Sequence, residues 1–212
     1  MVVATILLVG FELFDKYLYN PSEELVLHFN GKHVGGHEIV GIVLPVELRT
    51  TTQELQRALK EVMPAATLGL GLHPLAREAI LELVATNIYH HKEDMVYLDD
   101  RVLKVLPTRL PYERIIRKCR VENSLPIRVS ASIGAYLCNT IAYHIHRWAH
   151  DHNAIGGFIH VPPHYRLQAS HATSHATSFT LLVETIDCVL ATIAEELSQR
   201  ETMAHKKRGM SR

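Results

Sequence analysis

Apolar positions along this chain fall into two alternating patterns. Short, nearly continuous apolar runs cover residues 4–10, 38–44, 67–72 and 155–161, each ended by a glycine, a proline or a polar turn. Runs of that length without a polar face are what strands buried on both sides of a parallel sheet require. Between them the spacing turns helical. Asn20-Pro21-Ser22-Glu23-Glu24 supplies a capping side chain, a proline for the first turn and two acids for the positive dipole end, and Asn30-Gly31 supplies the stop. Residues 51–62 place Leu55, Leu59 and Val62 on one face, with Pro64 just beyond, and residues 135–150 do the same with Leu137, Ile141, Ile145 and Trp148. Residues 112–121 and 179–197 are also predicted as helices, and 127–130 as a strand.

Residues 79–85 alternate, with Ile80, Glu82 and Val84 on one side and Leu81 and Leu83 on the other, so a strand is predicted that turns Glu82 inward among apolar neighbours. Residues 88–110 have no clear period and are predicted as a loop with a short strand over 102–106. Strand and helix patterns alternate to the end of the chain with no linker. The prediction is a single α/β domain over residues 1–200, a three-layer α/β/α sandwich around a mostly parallel twisted sheet. The basic end, Lys206-Lys-Arg-Gly-Met-Ser-Arg212, has no apolar period, and residues 201–212 are predicted to be a disordered tail. The tandem tetrapeptide His171-Ala-Thr-Ser and His175-Ala-Thr-Ser is predicted as a surface loop, with Thr177 or Ser178 available to cap the last helix.

Composition narrows the partners. Lys+Arg and Asp+Glu both total 22 in 212 residues, so the balance gives no electrostatic reason to expect a nucleic acid or an anionic membrane. The first apolar run lacks a basic leading segment and is too short to span a bilayer; no other run reaches that length, and a cytoplasmic location is expected. The three cysteines, Cys119, Cys138 and Cys188, are an odd set without a Cys-x-x-Cys, so neither a disulfide framework nor a thiolate zinc site is expected. Cys119 and Cys188 sit within helical patterns and read as structural. His146 and His150, like His171 and His175, have the i, i+4 spacing of paired metal ligands, but no glutamate follows the first histidine and no cysteine or carboxylate completes a set. The first pair reads as the exposed side of a helix and the second as loop, with no metal or other cofactor expected.

Chemistry concentrates at the carboxyl ends of the predicted strands, where such sheets bind ligands. Cys138 follows a strand and the turn Ser130-Ala-Ser-Ile-Gly134 and lies near a helix start, where unpaired N–H groups and the dipole favour a thiolate. His160 closes an apolar strand before Pro162-Pro163 and is placed to act as general base and then acid. Glu82 is suited to hold the second imidazole nitrogen. A core cysteine and a satisfied core histidine are the alternative reading, and Glu82 weighs against it, because a buried carboxylate needs a partner.

At these residues the chain resembles the pyroglutamyl peptidase (pyrrolidone-carboxylate peptidase) family of cysteine peptidases. The resemblance is carried by Gly10-Phe-Glu-Leu-Phe14 with Asn20-Pro-Ser22, by Val43-Leu-Pro-Val46, by residues 71–87 around Glu82, and by Ser132-Ile-Gly-Ala-Tyr-Leu-Cys-Asn139 with Gly157-Phe-Ile-His-Val-Pro162. It runs from about residue 5 to about residue 197 in the family's order of glutamate, cysteine and histidine. It implies a Cys138–His160–Glu82 triad that removes an N-terminal pyroglutamyl residue from peptides through a thioester, without a metal, in a homo-oligomer (dimer or tetramer). It also implies that Phe11 and Phe14 flank the lactam ring, although Phe14 in the core is the plainer alternative. The chain departs from the family pattern at Leu13, where the family has proline, at Asp15 and Lys16 for glycines, and at Leu75-Ala76 for a Gly-Arg. His90, Lys92 and Met95 fall on a family Asp, Arg and Asp. The arginine is associated with the oxyanion, and Lys92 keeps its charge without the planar fork. These departures leave open a divergent paralogue of the same fold with an altered substrate or no activity.

Overall fold

The computed structural model describes residues 4–13, 19–91, 94–100, 102–164 and 177–209. In chain order the elements are β1 (Thr5–Phe11), α1 (Pro21–Phe29), β2 (His33–Val34), β3 (His37–Leu44), α2 (Leu48–Val62), β4 (Ala66–Leu72), β5 (Ala79–Glu82), β6 (Val84–Thr86), β7 (Ile88–His91), β8 (Asp94–Tyr97) and β9 (Val105–Pro107). There follow α3 (Tyr112–Ile115), a π-helical segment (Ile116–Glu122), β10 (Ile127–Ser130), α4 (Leu137–Asp151), β11 (Ile155–Val161) and α5 (Phe179–Gly209).

The unbroken apolar runs have the expected cause. In β1, Ile6 and Leu8 enter one core, with α1 and α5, while Leu7, Val9 and Phe11 enter the other, with α2 and α4. Both faces of the sheet are therefore covered, and a strand with a polar side has no place at its centre. The sheet runs β10-β5-β11-β4-β1-β3-β2. Its centre, β3, β1, β4 and β11, is parallel. Beside it β5 is antiparallel to β11, and β10 is parallel to β5. The mostly parallel three-layer arrangement is thus present, and the carboxyl ends of four central strands share one end of the sheet. Among the described residues no helix is long and apolar enough to cross a membrane.

Several expectations are corrected. Residues 88–110 are not a loop with one strand. β7 and β8 pair antiparallel, and β6 leaves the main sheet to pair with β9. The organiser is Asn87, fully buried, whose Nδ2 donates to Asp99 Oδ1 (2.7 Å) and Val102 O (2.9 Å) and whose Oδ1 accepts from Lys104 N (2.7 Å). One side chain replaces a ladder there, which is why no hydrophobic period marks it. The helix predicted over 112–121 is one α turn followed by the π segment. α5 runs on through residues 201–209, part of the segment expected to be a disordered tail. Arg200 Nε donates to Glu196 Oε1 (3.1 Å) and Thr202 Oγ1 to Ser198 O (2.9 Å) where it enters that segment, and no proline or glycine interrupts it before Gly209. The His-Ala-Thr-Ser repeat lies outside the described residues except for Thr177 and Ser178, and Ser178 Oγ does accept from Leu181 N (3.1 Å).

Cys119 and Cys188 form a disulfide, contrary to the expectation from an odd count. Parity does not exclude a pair plus one free thiol. The π segment and α5 bring the two Cα atoms within 5.8 Å, inside bonding range. The link closes a separation of 69 residues, for which loop entropy alone gives about 4 kcal/mol. Cys188→Ala should lower unfolding stability in urea by that order and leave kcat within about twofold, since the bond lies in the core opposite to α4.

His146 is not on an exposed helix side. It is fully buried, with Nδ1 on Leu106 O at 2.9 Å, while exposed His150 places Nε2 on Pro107 O at 3.1 Å, so the pair pins β9 to α4. Burial holds His146 down to about 4, and His144 likewise to about 4. Their protons are bound in the unfolded chain below about 6.5 but in the native state only below about 4, so stability falls as pH drops through that window. For His146 the loss is on the order of 3 kcal/mol. Urea unfolding at pH 7 and pH 4.5 should show the drop, and His146→Asn should flatten it.

Candidate active site

Cys138 is the second residue of α4 and is half-buried. Tyr136, in extended backbone, holds the cap position without a side-chain cap bond. Gly134, at φ 84°, makes the turn that a larger residue would strain. The helix start is fixed by fully buried Asn139, which accepts from Thr86 N (2.8 Å) and donates to Thr86 O (2.8 Å) and Ile88 O (2.6 Å). His90 N also donates to Ala135 O at 2.6 Å. The sulfur lies over Gly71 of β4: a Cβ there would come within 2.9 Å of Sγ and 2.8 Å of Phe158 Cζ. A bare backbone at Gly71 is what gives the sulfur its place.

Gly71 pairs in register with His160 of β11. Across the antiparallel pair, Glu82 stands opposite Phe158, which makes it the diagonal neighbour of His160 on the same face. Its Oε1 reaches His160 Nδ1 at 2.9 Å, with both residues buried (1% and 5% exposed). Burial opposes a charged ring, but hydrogen bonds to Cys138 and Glu82, and their charges, outweigh it and raise His160 to about 9. With Nδ1 given to Glu82, Nε2 is left for the sulfur. Glu82 Oε2 is buried without a hydrogen-bond partner among the described residues. The His160 ring also stands edge-to-face against Phe158 (5.2 Å, 75°) and His73 (5.4 Å, 88°).

Three predicted site residues, Glu82, Cys138 and His160, are therefore gathered at one place. Phe11 ends β1 and is buried in the core beneath α4 (4% exposed). Phe14 and Lys92 lie outside the described residues. Sequence reasoning missed His73 and the latch of Asn139. His73 carried a signal, two residues after Gly71 at a strand's carboxyl end. Asn139 gave none, because its partners are backbone atoms of a segment without periodicity. Beside the helix start, a cavity of about 440 Å³ is lined by Val46, Glu47, Tyr89, Val96, Tyr136 and Leu137. Tyr89 and Tyr136 stack in it at 5.6 Å.

Comparison with known proteins identifies the family and the fold. The sequence model of the family described as Pyroglutamyl peptidase matches residues 4–196. A pyrrolidone-carboxylate peptidase of Saccharolobus islandicus is 36% identical over 168 residues, 76% of this chain and 80% of the relative. One from Halalkalibacterium halodurans is 32% identical over 176 residues, 78% and 87% of the two chains. The solved pyrrolidone carboxyl peptidase of Thermococcus litoralis shares the fold at a TM-score of 0.86 and 24% identity, covering 93% of this chain and 96% of that one.

Proposed function

This chain belongs to the pyroglutamyl peptidase family, and on that premise we propose that it is a cysteine peptidase removing an N-terminal pyroglutamyl residue from peptides, with Cys138 as nucleophile, His160 as acid and base, and Glu82 as the group that holds His160. The reading is carried by one observation: His160 is bonded to Glu82 through Nδ1 at 2.9 Å and stands in register with Gly71, over which the Cys138 sulfur lies.

The sulfur, as thiolate paired with the His160 imidazolium, adds to the acyl carbonyl carbon. The developing oxyanion meets the first-turn N–H groups of α4, which no side chain caps. Collapse breaks the C–N bond as His160 gives its proton to the leaving amine, and a thioester remains. A water that yields its proton to His160 adds to that thioester, and the sulfur leaves as pyroglutamate is released. The lactam is assigned to the cavity beside Leu137, whose lining is apolar apart from two tyrosine hydroxyls and the Glu47 carboxylate that caps α2, and so offers a small neutral ring a few polar partners. Phe11, Phe14 and Lys92 are carried as substrate-side residues by the resemblance alone. A homo-oligomer (dimer or tetramer) and a cytoplasmic location belong to the same proposal.

Hydrolysis of a pyroglutamyl coumarin amide, run beside the prolyl and alanyl amides, tests the reading. Turnover of the pyroglutamyl amide alone is expected. Turnover of another acyl amide instead would replace the substrate and keep the chemistry. No turnover by folded protein whose Cys138 is still alkylated by iodoacetamide would end the assignment.

A further inference from the structure

His73 stands where the strand geometry aims it at the reacting imidazole. Its backbone N–H donates to Val161 O at 3.0 Å, so the β4–β11 ladder continues one residue past Leu72. Alternation then puts Gly71 and His73 on the face that carries His160, Phe158 and Glu82. Phe158 lies one pleat inward of His160, and His73 lies one pleat outward of Gly71, at the open end of the sheet. Both rings meet the His160 ring edge-to-face, at 5.2 and 5.4 Å. The imidazole is thus gripped between an inner phenylalanine and an outer histidine, with Glu82 fixing Nδ1.

The outer ring is itself prepared. Its Nδ1 accepts the Leu75 N–H at 3.3 Å, which leaves the proton of the neutral form on Nε2. Half-burial, then the charge of His160, hold it below its ordinary value; Arg128 on β10 adds to this and Glu82 on β5 opposes it. Near neutral pH an uncharged ring therefore faces a charged one.

We propose that His73 is a positioning residue: it is the outer clamp on His160, holding the imidazolium in line between Cys138 and the leaving nitrogen while remaining uncharged and so not competing for the proton. This rests on the assignment of His160 as acid and base. The clamp needs an aromatic ring and no titration of its own, which separates it from a substrate contact and from a plain packing role. An edge-to-face contact of this kind is worth a fewfold to about tenfold in rate if it is realised on the path to the transition state.

Three variants and two readouts test it. With pyroglutamyl coumarin amide at pH 7.5, His73→Ala should lose roughly 3- to 10-fold in kcat with KM within about twofold. His73→Phe should recover most of the loss, and His73→Asn, which keeps a donor but no ring, should not. Independently of turnover, an NMR titration of the His73 ring should show its pKa rising when His160→Gln removes the facing charge. An unchanged kcat in His73→Ala, a loss expressed in KM, or rescue by Asn but not Phe would overturn the clamp. So would a His73 titration indifferent to His160→Gln. If His73 responds to His160→Gln but the wild type cleaves no pyroglutamyl amide, the peptidase assignment fails while the ring contact stands.

Discussion

Cys138→Ala should abolish pyroglutamyl amide hydrolysis, with kcat/KM falling roughly 10,000-fold or more, and should leave the fold almost unchanged. The size follows from the nucleophile's place in the reaction: without sulfur there is no thioester, and the remaining N–H groups and cavity only orient water against a stable amide. The small stability effect follows from position. Cys138 is half-buried at a helix start whose fixation belongs to Asn139, so truncation removes one sulfur and opens little volume, about 1 kcal/mol or less. Cys138→Ser is expected to be nearly as inactive, because a serine hydroxyl ionises far less readily than a thiol and is the weaker nucleophile. The same protein should lose iodoacetamide labelling under non-reducing conditions, since Cys119 and Cys188 are tied to each other and Cys138 is the free thiol. Measurable turnover by Cys138→Ala at even a hundredth of the wild-type rate would show that the reaction runs through another group.

How much of this was legible in the sequence follows from where each piece stores its information. The central strands were readable because burial on both faces writes an unbroken apolar run, and β11 emerges with the predicted bounds. Glu82 was readable because a carboxylate inside an alternating apolar strand demands a partner, and His160 sits at diagonal reach across the pair. The antiparallel direction of β5, which creates that diagonal, left no local trace. Residues 88–110 were opaque because Asn87 and Asn139 build them through amide side chains bonded mostly to backbone atoms, and such bonds carry no period. The disulfide was missed because counting cysteines speaks to parity and not to distance; two helical patterns cannot say that their faces meet. His146 was placed outside by its pairing with His150, yet strand β9 covers the inner of the two and leaves the outer exposed.

Glu82→Gln should lower kcat by about 100-fold, shift the alkaline limb of the kcat profile toward neutrality, and leave the protein at least as stable above pH 9. Glutamine can still accept the Nδ1 proton, so the ring remains oriented; what is lost is the charge that supports an imidazolium. In the wild type, burial alone would push His160 down, and Cys138 and Glu82 together hold it at about 9. Removing one of these supports lets burial count for more, so His160 loses its proton at lower pH and the leaving amine goes without its acid. The sign for stability follows by linkage. His160 binds its proton more tightly folded than unfolded, so its contribution is full below about pH 6.5 and is lost as pH rises through about 9. Once that proton has gone, wild-type Glu82 is a buried carboxylate with Oε2 unpartnered, whereas the amide carries no charge to desolvate. Urea unfolding at pH 6.5 and 9.5 should therefore show the variant weaker at the first and equal or stronger at the second. A variant with wild-type kcat across the whole pH range would remove Glu82 from the chemistry and reduce its bond with His160 to packing.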